Sequence, residues 1–215
     1  MIETVQTIIT AALPVVLAIT LHEAAHGYVA RHFGDPTAWQ MGRVTLNPLK
    51  HIDPLGTIVI PLLILLLSGG KFVFGYAKPV PVDFGRLKNP KRDMLWVAAA
   101  GPAVNFLMAL VWAMLWKLAV MMPEGGYAFA LFKMSQYGVV ANVVLMVLNL
   151  LPLPPLDGGR IAVSLLPMRQ ALAFSQLERW GFPILLVLMF TGVLGKILNP
   201  LVDVVIGIIG LFVGI

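Results

Sequence analysis

The 215-residue sequence contains no cysteine, which removes disulfides and thiolate metal ligands together. Any metal ion must then be held by His, Asp or Glu. Charge is scarce too: Asp, Glu, Lys and Arg make up 12% of the chain against 59% hydrophobic residues, with a mean hydropathy of +0.90. That balance excludes a soluble globular domain and points to a polytopic membrane protein. No polar stretch is long enough for a second folded unit, so residues 1–215 read as one integral membrane domain. Internal repeats and low-complexity tails are missing as well. The net charge of +5 resides in the loops, where it sets topology and meets anionic headgroups rather than nucleic acid. Residues 1–10 carry Glu3 and no Lys or Arg, so the basic start of a signal peptide is lacking. The first apolar run is expected to stay in the mature protein.

Apolar runs at 5–30, 94–121 and 136–153 approach or exceed the ~20 residues that a bilayer requires. Two more, 181–198 and 201–215, are split by Asn199-Pro200 and predict a C-terminal helical hairpin. Residues 168–180, with Arg169, Glu178 and Arg179, predict an interfacial or cytosolic helix. The run 55–68 is too short to span: its apolar part, Ile58 to Leu67, contains Pro61 and predicts a re-entrant or buried element. Lys71 to Asp83 has β-like character with Pro79 and Pro81, and predicts an edge strand or extended loop. The expected fold is all-α and polytopic, with three core transmembrane helices, a re-entrant or β-like element and the terminal hairpin. Arg31, Arg43 and Lys50 precede the 55–68 run, and Lys71, Lys78, Arg86, Lys88, Lys91 and Arg92 follow it. Both basic loops lie on the cytoplasmic side only if that run does not cross.

Against this background His22-Glu23-Ala24-Ala25-His26 stands out, because two imidazoles and a carboxylate are costly inside an apolar helix. Positions i and i+4 share a helix face, so His22 and His26 can grip one Zn²⁺. Glu23 points off that axis and can take a proton from a water that the metal acidifies. A catalytic zinc site ordinarily has three protein ligands. Asp157 is the acidic residue set apart from the solvated loops: it follows the prolines of Leu151-Pro152-Leu153-Pro154-Pro155-Leu156 and precedes Gly158-Gly159-Arg160. Arg160 and a metal are the two partners such a carboxylate can have. With 55–68 re-entrant, two crossings separate Asp157 from the histidines, and both lie near the cytoplasmic face. With 55–68 spanning, three crossings would part them.

The chain resembles the site-2 protease family of intramembrane zinc metalloproteases, in its minimal bacterial form without PDZ or CBS domains. The likeness spans roughly residues 15–165. It rests on His22 to His26, on Asn149 through Gly158 as N-x-x-P-x-P-x-L-D-G, and on Gly101-Pro102-Ala103-Val104-Asn105 as G-x-x-x-N. The stretch from Asn47 to Gly56 resembles the bacterial subgroup. The resemblance implies one Zn²⁺ per chain on His22, His26 and Asp157, with Glu23 as general base. It further implies that Asn105 and Asn149 position the substrate backbone. Asn142, seven residues before Asn149 on nearly the same face, is a further substrate or oxyanion candidate, although such residues also glue membrane helices together. His51 is either an auxiliary group or an interfacial residue. Expected partners are transmembrane protein substrates and the lipid bilayer, with a homo-oligomer open. The expected location is a bacterial or archaeal plasma membrane. Rival readings are a metal-binding or transport protein, which has no need of Glu23, and a catalytically silent scaffold. A substrate helix must unwind before cleavage, and Phe72 to Val82 offers a segment for strand addition.

Overall fold

In hydrocarbon every backbone polar group must find its partner inside the protein, so long apolar runs become helices. The computed structural model describes residues 2–67, 69, 75–123 and 125–214. Among the described residues, four helices are long and apolar enough to cross a membrane: α1 (Ile2–His32, from Ile9), α4 (Pro90–Met121), α5 (Gly126–Asn149) and α9 (Val193–Val213). Among the described residues there is no strand. The protein is an all-α polytopic membrane protein.

The core is made by α1, α4 and α5, which pack on one another. Ala109, Trp112 and Ala113 of α4 interlock with Val139, Val143, Met146 and Val147 of α5. Gly138 makes the fit: a Cβ there would lie 2.3 Å from the Trp112 ring. Ile209 seats α9 on the same cluster, and Lys117 Nζ donates to the Val213 carbonyl at 2.6 Å, capping the C-terminal end of α9.

The C-terminal region departs from the sequence expectation in its turn. The break falls at Thr191-Gly192, where Gly192 takes φ +73°, and Pro200 lies inside α9. A left-handed glycine ends one helix and starts the next at little cost, so Asn199-Pro200 is not needed as the break. The stretch 168–180 is two pieces rather than one helix: α7 (Met168–Ser175) and the start of α8 (Glu178–Phe190), bent by 58°. α8 leans on the loop after α5; a Cβ on Gly181 would fall 1.8 Å from the Pro154 carbonyl oxygen.

Between α1 and α4 come the short α2 (Thr37–Gln40), a π-helical stretch Pro54–Val59 and α3 (Ile60–Leu67). Asp53 caps the π-helical start through the N–H groups of Leu55 and Gly56. At ~1.5 Å per residue the 54–67 stretch falls well short of a ~30 Å hydrocarbon layer. The chain then comes back beside its own entry: Tyr76 N–H donates to the Gly56 carbonyl and Lys78 N–H to the His51 carbonyl. Residues 75–83 are extended without being a strand, while Lys71 to Phe74 of the β-like expectation lie outside the described residues. This extended segment is clamped along its length. Thr57 Oγ1 donates to the Tyr76 carbonyl, and the Arg43 guanidinium donates to the Lys78 carbonyl. Asp35 accepts from Asp83 N–H at 2.7 Å.

Asp35 is buried beyond the end of α1. Burial pushes its carboxyl up, but donors from the Thr37 hydroxyl, Thr37 N–H and Asp83 N–H outweigh it and hold the group below the usual carboxylate range. A folded-state value below the unfolded one stabilises the clamp at pH above about 4 and is lost as pH falls through the lowered value. The protection of Asp83 N–H, its observed exchange rate relative to the intrinsic rate at the same pH, is therefore expected to fall on acidification. Asp35→Asn, whose amide turns NH₂ on either Thr37 or Asp83, is expected to show weakened protection already at neutral pH.

Candidate metal centre

The i, i+4 spacing on α1 sets His22 and His26 side by side, with their Nε2 atoms 3.1 Å apart. Space for the two rings comes from α4. A Cβ on Gly101 would fall 2.5 Å from His22 Cε1 and 2.5 Å from His26 Nε2. The glycine of the G-x-x-x-N pattern is thus the bare floor on which both imidazoles lie. Asn105, one turn further along α4, then stands behind His22.

Asp157 arrives from α6 (Asp157–Leu165), whose first residue it is. The loop 150–156 folds back tightly on this start: a Cβ on Gly158 would fall 2.3 Å from the Leu150 carbonyl oxygen, and one on Gly159 2.3 Å from Pro154 N. Only glycine at both positions lets the chain come this close. Asp157 Oδ2 lies 3.2 Å from His22 Nε2 and 3.3 Å from His26 Nε2. Arg160 is not its partner; the guanidinium sits over the Phe84 ring, 5.3 Å from the centroid.

Three ligand atoms thus form a triangle with edges of 3.1 to 3.3 Å. Tetrahedral zinc with bonds of about 2.0–2.1 Å separates its ligands by about 3.3–3.4 Å. The donor chemistry agrees with the geometry. His26 Nδ1 lies 2.7 Å from the Val97 carbonyl, which can only accept, so the ring proton sits on Nδ1 and Nε2 keeps its lone pair. His22 Nδ1 lies 2.6 Å from Asn105 Oδ1. Asp157 Oδ2 is buried and receives no hydrogen bond, although two ring nitrogens face it. Three converging ligand atoms of the types zinc prefers, at the edges a tetrahedral ion requires, suit a cation, so the residues fit a zinc ion.

Glu23 stands beside this triangle. Its Oε2 accepts from Val80 N–H of the extended segment at 2.8 Å. His22, Glu23, His26, Asp157 and Asn149 all line one cavity of about 610 Å³, walled mainly by apolar residues such as Ile19, Leu148 and Leu185. Asn149 spends its amide N–H on the Leu145 carbonyl at 3.0 Å. Asn105 and Asn142 are fully buried and bonded to each other, and neither lines the cavity. His51 is buried apart from it, with Nε2 3.0 Å from the Thr45 carbonyl. Three contributors left little trace in the sequence. The Val97 carbonyl and Val80 N–H are backbone groups that any residue supplies, and the role of Gly101 is read only when both rings are seen against it.

A methyl group at position 101 has nowhere to go but into the imidazoles. Gly101→Ala is expected to lower zinc affinity by about 100-fold or more while the helices stay folded. Chelator competition read beside circular dichroism checks it.

The sequence profile of the family described as Peptidase family M50 matches residues 10–125 and 117–192. The protein described as "Putative zinc metalloprotease YwhC" of Bacillus subtilis is 39% identical over 196 residues, covering 89% of this chain and 84% of its own. "Putative zinc metalloprotease Rip2" of Mycolicibacterium smegmatis is 34% identical over 185 residues, covering 84% of this chain and 66% of its own. A Rip2 of Mycobacterium tuberculosis is 32% identical over 174 residues, covering 73% of this chain and 59% of its own. No solved structure matches the chain. With the profile running through α1, Gly101 and Asp157 alike, the metal-ligand triangle falls inside the matched region, and the chain belongs to the M50 peptidase family.

Proposed function

We propose that this protein is a zinc-dependent intramembrane endopeptidase that cuts transmembrane segments of other membrane proteins. The observation that carries the reading is the placement of three metal-ligand atoms and a separate carboxylate, Glu23, in one cavity between membrane helices. His22, His26 and Asp157 hold the ion, one per chain. When bound, zinc supplies Lewis acidity and an acidified water. Glu23 is the general base: its carboxylate is held on the cavity wall by Val80 N–H, accepts the proton of the attacking water and returns it to the leaving amine. Asn149 meets the substrate backbone from the α5 side of the same cavity.

The protein's own backbone bonds limit how a substrate approaches. Tyr76, Lys78 and Val80 turn their N–H groups to acceptors within the protein. An unwound substrate pairing with residues 75–83 meets the other edge, where Pro79 and Pro81 carry no N–H. Strand addition there draws on carbonyls of this segment and donors of the substrate. The 54–67 stretch is re-entrant: its shortness, and the return of Tyr76 and Lys78 beside Gly56 and His51, both support that reading. Both basic loops and the metal centre then lie toward the cytoplasmic face.

Glu23→Gln separates the proposal from its rivals. The variant is expected to keep full zinc content and to lose cleavage of a model transmembrane substrate by about 10³-fold or more. His26→Ala is expected to lose both. Purified protein in lipid, with zinc measured by elemental analysis and cleavage by gel, gives both readings. A metal transporter would keep its flux in Glu23→Gln, and a scaffold would bind zinc in the wild type yet never cleave.

A further inference from the structure

Behind His22 runs a chain of buried amides, each bonded in a definite sense. Asn142 Nδ2 donates to the Gly138 carbonyl at 2.9 Å. A backbone carbonyl cannot donate, so the Asn142 amide is fixed with its NH₂ on that side and Oδ1 on the other. That oxygen accepts from Asn105 Nδ2 at 2.9 Å, and the same NH₂ group also donates to the Ala18 carbonyl at 3.2 Å. Asn105 must therefore turn Oδ1 to His22 Nδ1, 2.6 Å away. An acceptor at this place keeps the ring proton on Nδ1 and leaves Nε2 bare toward His26 and Asp157. Asn105 and Asn142 both have no exposed surface, so bulk water does not reach either amide.

We propose that Asn142 is a positioning residue which, through Asn105, sets the tautomer of His22 from the Gly138 carbonyl two steps away. The proposal deepens the zinc-site reading and rests on it. An Asn105 amide turned over would present NH₂ to Nδ1, drive the proton to Nε2 and close His22 to a metal. Two acceptors oppose that flip, the Ala18 carbonyl at 3.2 Å and the closer Asn142 Oδ1 at 2.9 Å, and losing Asn142 leaves only the weaker one. His26 needs no such relay, because a backbone carbonyl, that of Val97, orients it directly.

Zinc affinity of the full-length protein in lipid, measured by chelator competition, tests the relay independently of proteolysis. Asn142→Leu is expected to weaken zinc by about 10–100-fold. Asn142→Asp is expected to stay within a few-fold of wild type. Its neutral carboxyl can donate O–H to Gly138 and accept from Asn105. Asn105→Asp cannot misorient in the same way, since its O–H goes to Ala18 and its C=O to His22. Added to Asn142→Leu, it is expected to restore affinity. Asn142→Ala serves the same comparisons where leucine fails to fold. A packing role would give the opposite order, with leucine tolerated and no rescue by Asn105→Asp. Wild-type affinity in Asn142→Leu, an equal loss in Asn142→Asp, or failure of the rescue would overturn the relay. Zinc loss in Asn142→Leu beside a wild type that never cleaves would leave the relay standing and remove the protease reading. A wild type that binds no zinc removes both.

Discussion

The structure depends on a conflict among lone pairs. His22 Nε2, His26 Nε2 and Asp157 Oδ2 point at one spot in a mainly apolar cavity, and the acceptors on the far side of each ring turn the Nε2 atoms toward that spot. Desolvated acceptors facing one another are expensive unless a cation joins them. The surroundings are built to keep that demand unmet by anything else. The Val97 carbonyl occupies His26 Nδ1, Gly101 leaves the rings their floor, and Arg160 is drawn off to Phe84 rather than to Asp157.

The helical scaffold follows from the same shortage of water. The α1–α4–α5 packing is tight because small residues let large ones in, as Gly138 does for Trp112. The region between α1 and α4, where apolar runs are short, is instead tied by polar groups. Asp35, Asp53, Arg43 and Thr57 each bond to backbone rather than to another charge. The bonds of Asp35, Arg43 and Thr57 hold residues 75–83 in place, and so hold Val80 against Glu23.

Much of this was legible in the sequence, and the part that was not has a physical reason. The H-E-x-x-H spacing and the proline–glycine frame around Asp157 carry chemistry in side-chain identity. The expectation of two crossings between them rests on run length, on the basic loops and on reading 55–68 as re-entrant. Those gave the helices and the three residues that meet. Asn105 and Asn142 were legible as polar residues in apolar helices, but whether they face a substrate or the back of a ligand depends on helix rotation, which spacing does not settle. The break at Gly192 is not marked as strongly in the sequence as Asn199-Pro200, while a single left-handed glycine suffices to interrupt the helix. Backbone contributors such as Val80 N–H carry no identity at all.

The seating of Pro154 against Gly181 has a consequence for biosynthesis. The histidines are made early, with α1, and Asp157 emerges only after two further helices of spanning length, α4 and α5. Its loop then lacks one wall until α8 has been made. A nascent chain halted before that point carries the whole motif set with Asp157 unsupported on one side. On the proposed zinc-site reading, the cavity is complete only once α8 is in place, although α8 contributes none of the three residues.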